Sequence, residues 1–146
     1  MQISSRFTLA VHILTCIKTF GDSNKITSEF LAASTNVNPV IVRKILGQLK
    51  KAGIVEVARG SGGAVLAKPE NDITFLDIYK AVDCVGDGEL FHFHEIPIPL
   101  CLFVRNIHAV LDDRRIKVQQ AMEKELASVT LKDVLDDTQN IIKSQQ

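Results

Sequence analysis

Apolar side chains at Phe7, Ala10, Val11, Leu14 and Ile17 recur at helical spacing, which predicts an amphipathic helix over about residues 5–20 with one buried stripe. The cluster Gly21-Asp22-Ser23-Asn24 ends it. Thr27 has the character of an N-cap, with Glu29 in the first turn, where the helix dipole favours an acid. Ile26 and Leu31 stand where a hydrophobic staple would form. This second helix is short, reaching about residue 34. Asn38-Pro39 is the sharpest start signal in the chain: Asn caps, and Pro suits the first helical position because its missing N–H would be unpaired there. The third helix runs to about residue 51, and Gly53 fits a left-handed stop. Only residues 35–37 separate the two, a helix-turn-helix arrangement.

The period then changes. Residues 54–58 and 64–67 read as strands around the glycine-rich turn Arg59-Gly60-Ser61-Gly62-Gly63, and together (54–67) they make a hairpin wing. Thr74 and Asp77 open another helix, expected to end near Cys84, with Ile73 and Ile78 as its staple. The same grammar returns at Thr130 and Asp133, opening the last helix. Between residues 85 and 100 lies a Gly-, Pro- and His-rich loop. A long helix is predicted over 101–126, with Val104, Ile107, Leu111, Val118, Ala121 and Met122 marking an apolar seam that Asp112-Asp113-Arg114-Arg115 interrupts. Such a helix after a compact domain has no evident local partner, so a second copy of the chain is expected to cover it; the alternative is packing across its own domain. The fold class is mainly α with a small β-hairpin: a winged helix-turn-helix domain over 1–84, a linker or sensor loop over 85–100, and a dimerisation helix with a C-terminal helix over 101–146.

On a wheel of the third helix, Ile41, Val42, Ile45, Leu46 and Leu49 share one side, and Val40, Arg43, Lys44, Gly47, Gln48 and Lys51 the other. A basic face carrying an amide suits a helix entering the major groove of duplex DNA. Its N-terminal end, from Asn38 and Pro39 to Lys44, is expected to lie deepest. Arg43 can donate twice to a guanine edge, and Val40 can touch a thymine methyl. Lys44, Lys50 and Lys51 suit phosphates, which set affinity and register. Arg59 at the wing tip suits a minor groove or a phosphate, and the glycines around it allow close approach.

Net charge is zero, which speaks against a polyanionic partner until its distribution is followed. Residues 1–69 carry net +6 and residues 70–146 net −6, and segment 36–68 holds six Lys/Arg against one acid. Local field governs partner choice. No apolar run approaches the roughly 18 residues of a membrane span, and the start does not read as a signal peptide. Three irregularly spaced cysteines make no disulfide framework, so a reducing, cytoplasmic setting is expected. No phosphate-binding glycine turn, nucleophile elbow or zinc-protease motif is present, so the chain is not expected to be an enzyme. The competing class is an interaction module that regulates a partner enzyme through protein contact, motivated by the acidic C-terminal half and the apolar 85–100 loop.

Ser4-Ser5-Arg6-Phe7, Asn38 to Ile45, the wing Arg59 to Ala64, Ile73 to Val82 and Leu131 to Val134 together resemble the Rrf2 family of bacterial transcription regulators over nearly the whole chain. The resemblance implies a homodimer joined by paired long helices, commonly a repressor on a roughly palindromic operator, with Ser5, Arg6, Gly60 and Ser61 among its DNA contacts. Many relatives sense iron–sulfur clusters through three closely spaced cysteines before the long helix. Here only Cys101 lies in that region, with Cys84 upstream and Cys16 in the first helix, so no cluster is expected. The resemblance is to the cluster-free branch, with His92, His94, Glu95 and Cys101 in the corresponding segment. Three readings of that segment stand open. Cys101 is a redox-responsive thiol aided by Arg105 one turn on; His92 and His94 with Cys101 or His108 hold a transition metal, although their spacing matches no compact motif; or these are ordinary packed and surface groups. Cys16 belongs to the core, and Cys84 to a buried helix end.

Overall fold

The computed structural model describes residues 4–60, 62–82, 90–91 and 102–146. Element order is α1 (Arg6–Phe20), α2 (Ser28–Thr35), α3 (Pro39–Lys51), β1 (Val55–Val57), β2 (Ala64–Leu66), a 3-10 turn (Glu70–Asp72), α4 (Phe75–Ala81), α5 (Leu102–Ser128) and α6 (Leu131–Ser144).

Four of the helix starts follow from a local bond. Thr27 Oγ1 accepts from Phe30 N–H at 3.1 Å, and Asn38 Oδ1 from Val40 N–H at 2.8 Å. Thr74 and Thr130 each form a full capping box, with Asp77 and Asp133 accepting from the threonine N–H in return. Asn36, at φ 54°, makes the tight left-handed turn between α2 and α3. The hairpin is antiparallel, pairing Val55 with Leu66, Glu56 with Val65 and Val57 with Ala64.

One apolar cluster joins these parts. Ala10, Ile13, Leu14 and Ile17 of α1 meet Leu31 of α2, Val42, Ile45 and Leu49 of α3, Ile54 and Val55 before and in β1, Ile78 of α4 and Leu131 of α6. Each fully buried Ile or Leu stabilises this arrangement by about 1.5–3 kcal/mol before entropy is counted. Ile13 is completely buried although it lies outside the stripe read from the sequence: α1 is covered on more than one side, so its buried arc is wide.

Two expectations are corrected. The long helix does have local packing: α5 lies against α4, and Met122 and Leu126 rest on the chain's own core. Met122 therefore leaves the outward seam. The cause is a join that local patterning does not reveal. Thr74 and Thr130 form an antiparallel bridge, with Phe75 N–H donating to Val129 O and Leu131 N–H to Ile73 O, both at 2.8 Å. This stitches the starts of α4 and α6 together and brings the end of α5 onto the domain. The remaining seam differs in character. Leu111 and Val118 are exposed, as are Phe103 and Val110 beside them, Ala121 is exposed and Ile107 half-buried. Asp112 pairs with Arg115, and Asp113 with Lys117, along the helix itself.

Candidate nucleic-acid interface

Burial of Val42, Ile45, Leu46 and Leu49 fixes the rotation of α3. It turns Val40, Lys44, Gly47 and Lys51 outward as one ridge at i, i+4, i+7 and i+11. Val40 is 64% exposed, and a Cβ built on Gly47 would meet nothing within 4 Å, so the ridge is open along its length. Lys44, Lys50 and Lys51 are exposed and form no ion pair among the described residues. Asn38 and Pro39 act at the root of this surface as cap and first residue.

The two edges of the wheel depart from expectation. Ile41, assigned to the apolar side, is 46% exposed. It lies about a quarter-turn from the centre of the buried stripe, where no described element covers it. Gln48, assigned to the open basic side, is half-buried, and its Oε1 lies buried without a hydrogen-bond partner among the described residues. Gln48 follows Ile45 by one turn, and helical side chains lean back toward the preceding turn, so its amide tucks along the edge of the core.

Arg43 is not a free cation. Its Nη2 lies 2.6 Å from Glu29 Oε1, its Nε donates to Ser28 Oγ at 3.1 Å, and Ser28 Oγ donates to Glu29 Oε2 at 3.0 Å. The three close a ring across the α2–α3 junction. Its formation depends on Thr27 capping α2, which places Ser28 and Glu29 in the first turn facing α3. The Glu29 backbone N–H at that helix start and, after it, the Arg43 guanidinium hold the Glu29 carboxyl below the usual carboxylate range. Sequence reading gave Glu29 only a helix-dipole role and gave Ser28 none. Arg43 and Lys50 line one flank of α3, facing a cleft of about 610 Å³ whose other walls are the start of α2 and the wing residues Ala58 and Gly60.

The wing is held from behind. Ala64 N–H donates to Ile26 O at 2.8 Å, and Gly63, at φ +78°, lies so close that a Cβ there would stand 2.9 Å from Ile26 N. A Cβ on Gly62 would meet Ala58 Cβ instead. Both glycines thus serve packing within the protein, correcting the expectation that they admit an outside surface. Arg59 and Gly60 are the exposed tip, and a Cβ on Gly60 would meet nothing within 4 Å.

Ser5 and Arg6 open α1 beside Phe7, whose ring meets Phe75 edge-on at 5.1 Å, so they belong to the α1–α4 side. Cys16 is buried in α1, its Sγ 3.2 Å from Ser34 Oγ. Ser61, Cys84, His92, His94, Glu95, Cys101 and the side chain of Val104 lie outside the described residues. Among the described residues no group of three His, Cys, Asp or Glu side chains could hold a metal, so they offer no fit for iron.

A three-helix core whose third helix exposes a basic ridge, followed at once by a two-stranded hairpin, defines a winged helix-turn-helix protein. The chain belongs to the Rrf2 family, described as "Iron-dependent Transcriptional regulator", whose sequence profile matches residues 3–137. It is 44% identical over 135 residues to YwnA of Bacillus subtilis (strain 168), classed among the HTH-type transcriptional regulators, with 92% of this chain and 98% of that one covered. A crystal structure classed as a DNA-binding protein superposes with a TM-score of 0.72 at 40% identity, covering 90% of this chain and 99% of that one. CymR (YrzC), the global cysteine regulator of B. subtilis, shares the fold, with a TM-score of 0.68 at 21% identity over 93% of this chain and 97% of that one. These relatives are regulators rather than enzymes, and no described helix is long and apolar enough to cross a membrane.

Proposed function

We propose that this protein is a homodimeric transcription regulator, a repressor that reads a roughly palindromic operator in duplex DNA. The observation that carries the reading is the open α3 ridge of Val40, Lys44, Gly47 and Lys51 beside the wing. A helix of this kind fits a major groove, with Val40 and Arg43 at base edges and Lys44, Lys50 and Lys51 on phosphates. Arg59, with Gly60 and Ser61, reaches the flanking backbone or minor groove. Ser5 and Arg6 join these contacts on the strength of the family resemblance. The exposed side of α5, with Ile107, Leu111, Val118 and Ala121, joins two copies and sets the spacing of the half-sites. The protein works in the compartment that holds the chromosome. It needs no cluster, and the Cys101 thiol tunes binding by its oxidation state.

Selection from a random duplex pool tests this, followed by competition against random DNA at two salt concentrations, with and without oxidant. An enriched inverted repeat with half-sites about 10 bp apart is expected, the logarithm of its affinity falling linearly with log salt. Failure to enrich any sequence overturns the reading.

A further inference from the structure

The ring of Ser28, Glu29 and Arg43 is more than a surface ion pair in its geometry. A guanidinium has five N–H donors in a rigid planar fork. Here the edge bearing Nε and one Nη2 hydrogen is taken by Ser28 and Glu29. The end-on edge, with one Nη1 hydrogen and the second on Nη2, is left over. That free edge is the pair of parallel donors that matches O6 and N7 of a guanine. Arg43 stands in the N-terminal half of α3, one turn after Val40 and one turn before the side-chain-free Gly47, on the flank of the ridge that faces the cleft. An unbraced arginine samples many rotamers and meets phosphates readily; a braced one gives up that freedom before binding. The Glu29 carboxylate also offsets the positive charge that would attract any phosphate.

We propose that Glu29, with Ser28, is a positioning residue for sequence reading: it fixes the Arg43 guanidinium so that its free edge recognises one guanine in each half-site. The inference rests on the DNA-binding function proposed above.

The test uses the operator selected by the full-length wild-type protein, and variants of it carrying each base-pair change across a half-site. Wild-type protein is expected to discriminate by about 10-fold or more at the base pair read by Arg43. In Glu29→Gln, which keeps shape but removes the charge, that discrimination falls to about 2-fold, the other positions are unchanged, and random duplex binds as well or better. The same change in an Arg43→Ala background has no effect at that base pair. A merely structural role for Glu29 would instead lower affinity evenly across positions and in both backgrounds. Should Glu29→Gln fail to fold, Ser28→Ala removes the Nε anchor alone and must give a partial loss at the same base pair. Full discrimination retained in the folded variant, or an even loss across the site, overturns the inference while leaving the DNA-binding reading intact. A wild-type protein that selects no sequence sinks both.

Discussion

Replacing Gly63 by alanine tests how the wing is held. At φ +78°, an L side chain at this position is strained by about 1–2 kcal/mol. The new Cβ would also stand 2.9 Å from Ile26 N, 3.1 Å from Ile26 O and 3.3 Å from Ile26 C. All three are backbone atoms, so no rotamer change relieves the contact. Relief requires the hairpin to lift from Ile26, at the expense of the 2.8 Å bond from Ala64 N–H to Ile26 O. Losing that bond in a buried setting costs about 1–3 kcal/mol. The sum, about 2–5 kcal/mol, is a large share of the stability of a typical domain. Gly60→Ala supplies the control. Its φ of +72° carries the same strain, but its Cβ would meet nothing within 4 Å, so about 1–2 kcal/mol is expected.

Urea unfolding followed by far-ultraviolet circular dichroism compares the two variants, and amide exchange at Ala64 reports the wing locally. If the wing detaches while the core survives, the global loss is smaller, but Ala64 exchanges faster and operator affinity falls. Equal destabilisation of Gly63→Ala and Gly60→Ala within about 0.5 kcal/mol, with Ala64 still protected, refutes the account of the wing as anchored through Ile26.

Three further outcomes follow from the same geometry. Lys44→Ala is expected to weaken all duplexes alike and to reduce the slope of log affinity against log salt by about 1, as for one lost phosphate contact; a loss confined to the selected operator would contradict its role. Val118→Glu places a charge on the exposed side of α5, so sedimentation should change from dimer to monomer with little change in the folded domain, and an unaltered dimer would move the interface elsewhere. Acid should destabilise the fold: the Glu29 and Glu70 carboxyls are held low first by their own backbone N–H groups and Asp133 first by the Thr130 N–H, so their contribution is present above the ordinary carboxylate range near pH 4 and is lost as pH falls through their lower folded values. A urea midpoint unchanged between about pH 6 and about pH 3 would contradict this.

What was legible in the sequence was local. The caps at Thr27, Asn38, Thr74 and Thr130 all form their expected bonds, because each depends on residues two or three positions apart. The hairpin followed from its glycines and its period of two. Features that depend on how elements cross were not legible. Ile41 and Gln48 lie at the edges of the α3 wheel, where the reach of a neighbour decides burial. The Arg43–Glu29 pair spans 14 residues and exists only because α2 and α3 cross with those faces together. Gly63 finds Ile26, and Thr74 finds Thr130, across still longer separations. The matching grammar around the two threonines was visible; that the two segments pair with each other was not.

The neutrality of the chain is resolved by pairing rather than by count. Three of the seven acids of α5 and α6 are answered along their own helix, Asp112 by Arg115, Asp113 by Lys117 and Asp136 by Lys132. Charges compensated within one turn produce little field beyond a Debye length of about 8–10 Å. Lys44, Lys50, Lys51 and Arg59 have no such answer among the described residues. A polyanion approaching this protein therefore meets a positive α3 and wing, although the sums cancel. On α3 only Arg43 is paired among the described residues, and it is also the cation best shaped to read a base. Under the proposed function that contrast implies a division of labour: the unpaired lysines would supply attraction that is blind to sequence, while the neutralised arginine would add little to attraction and contribute chiefly to choice.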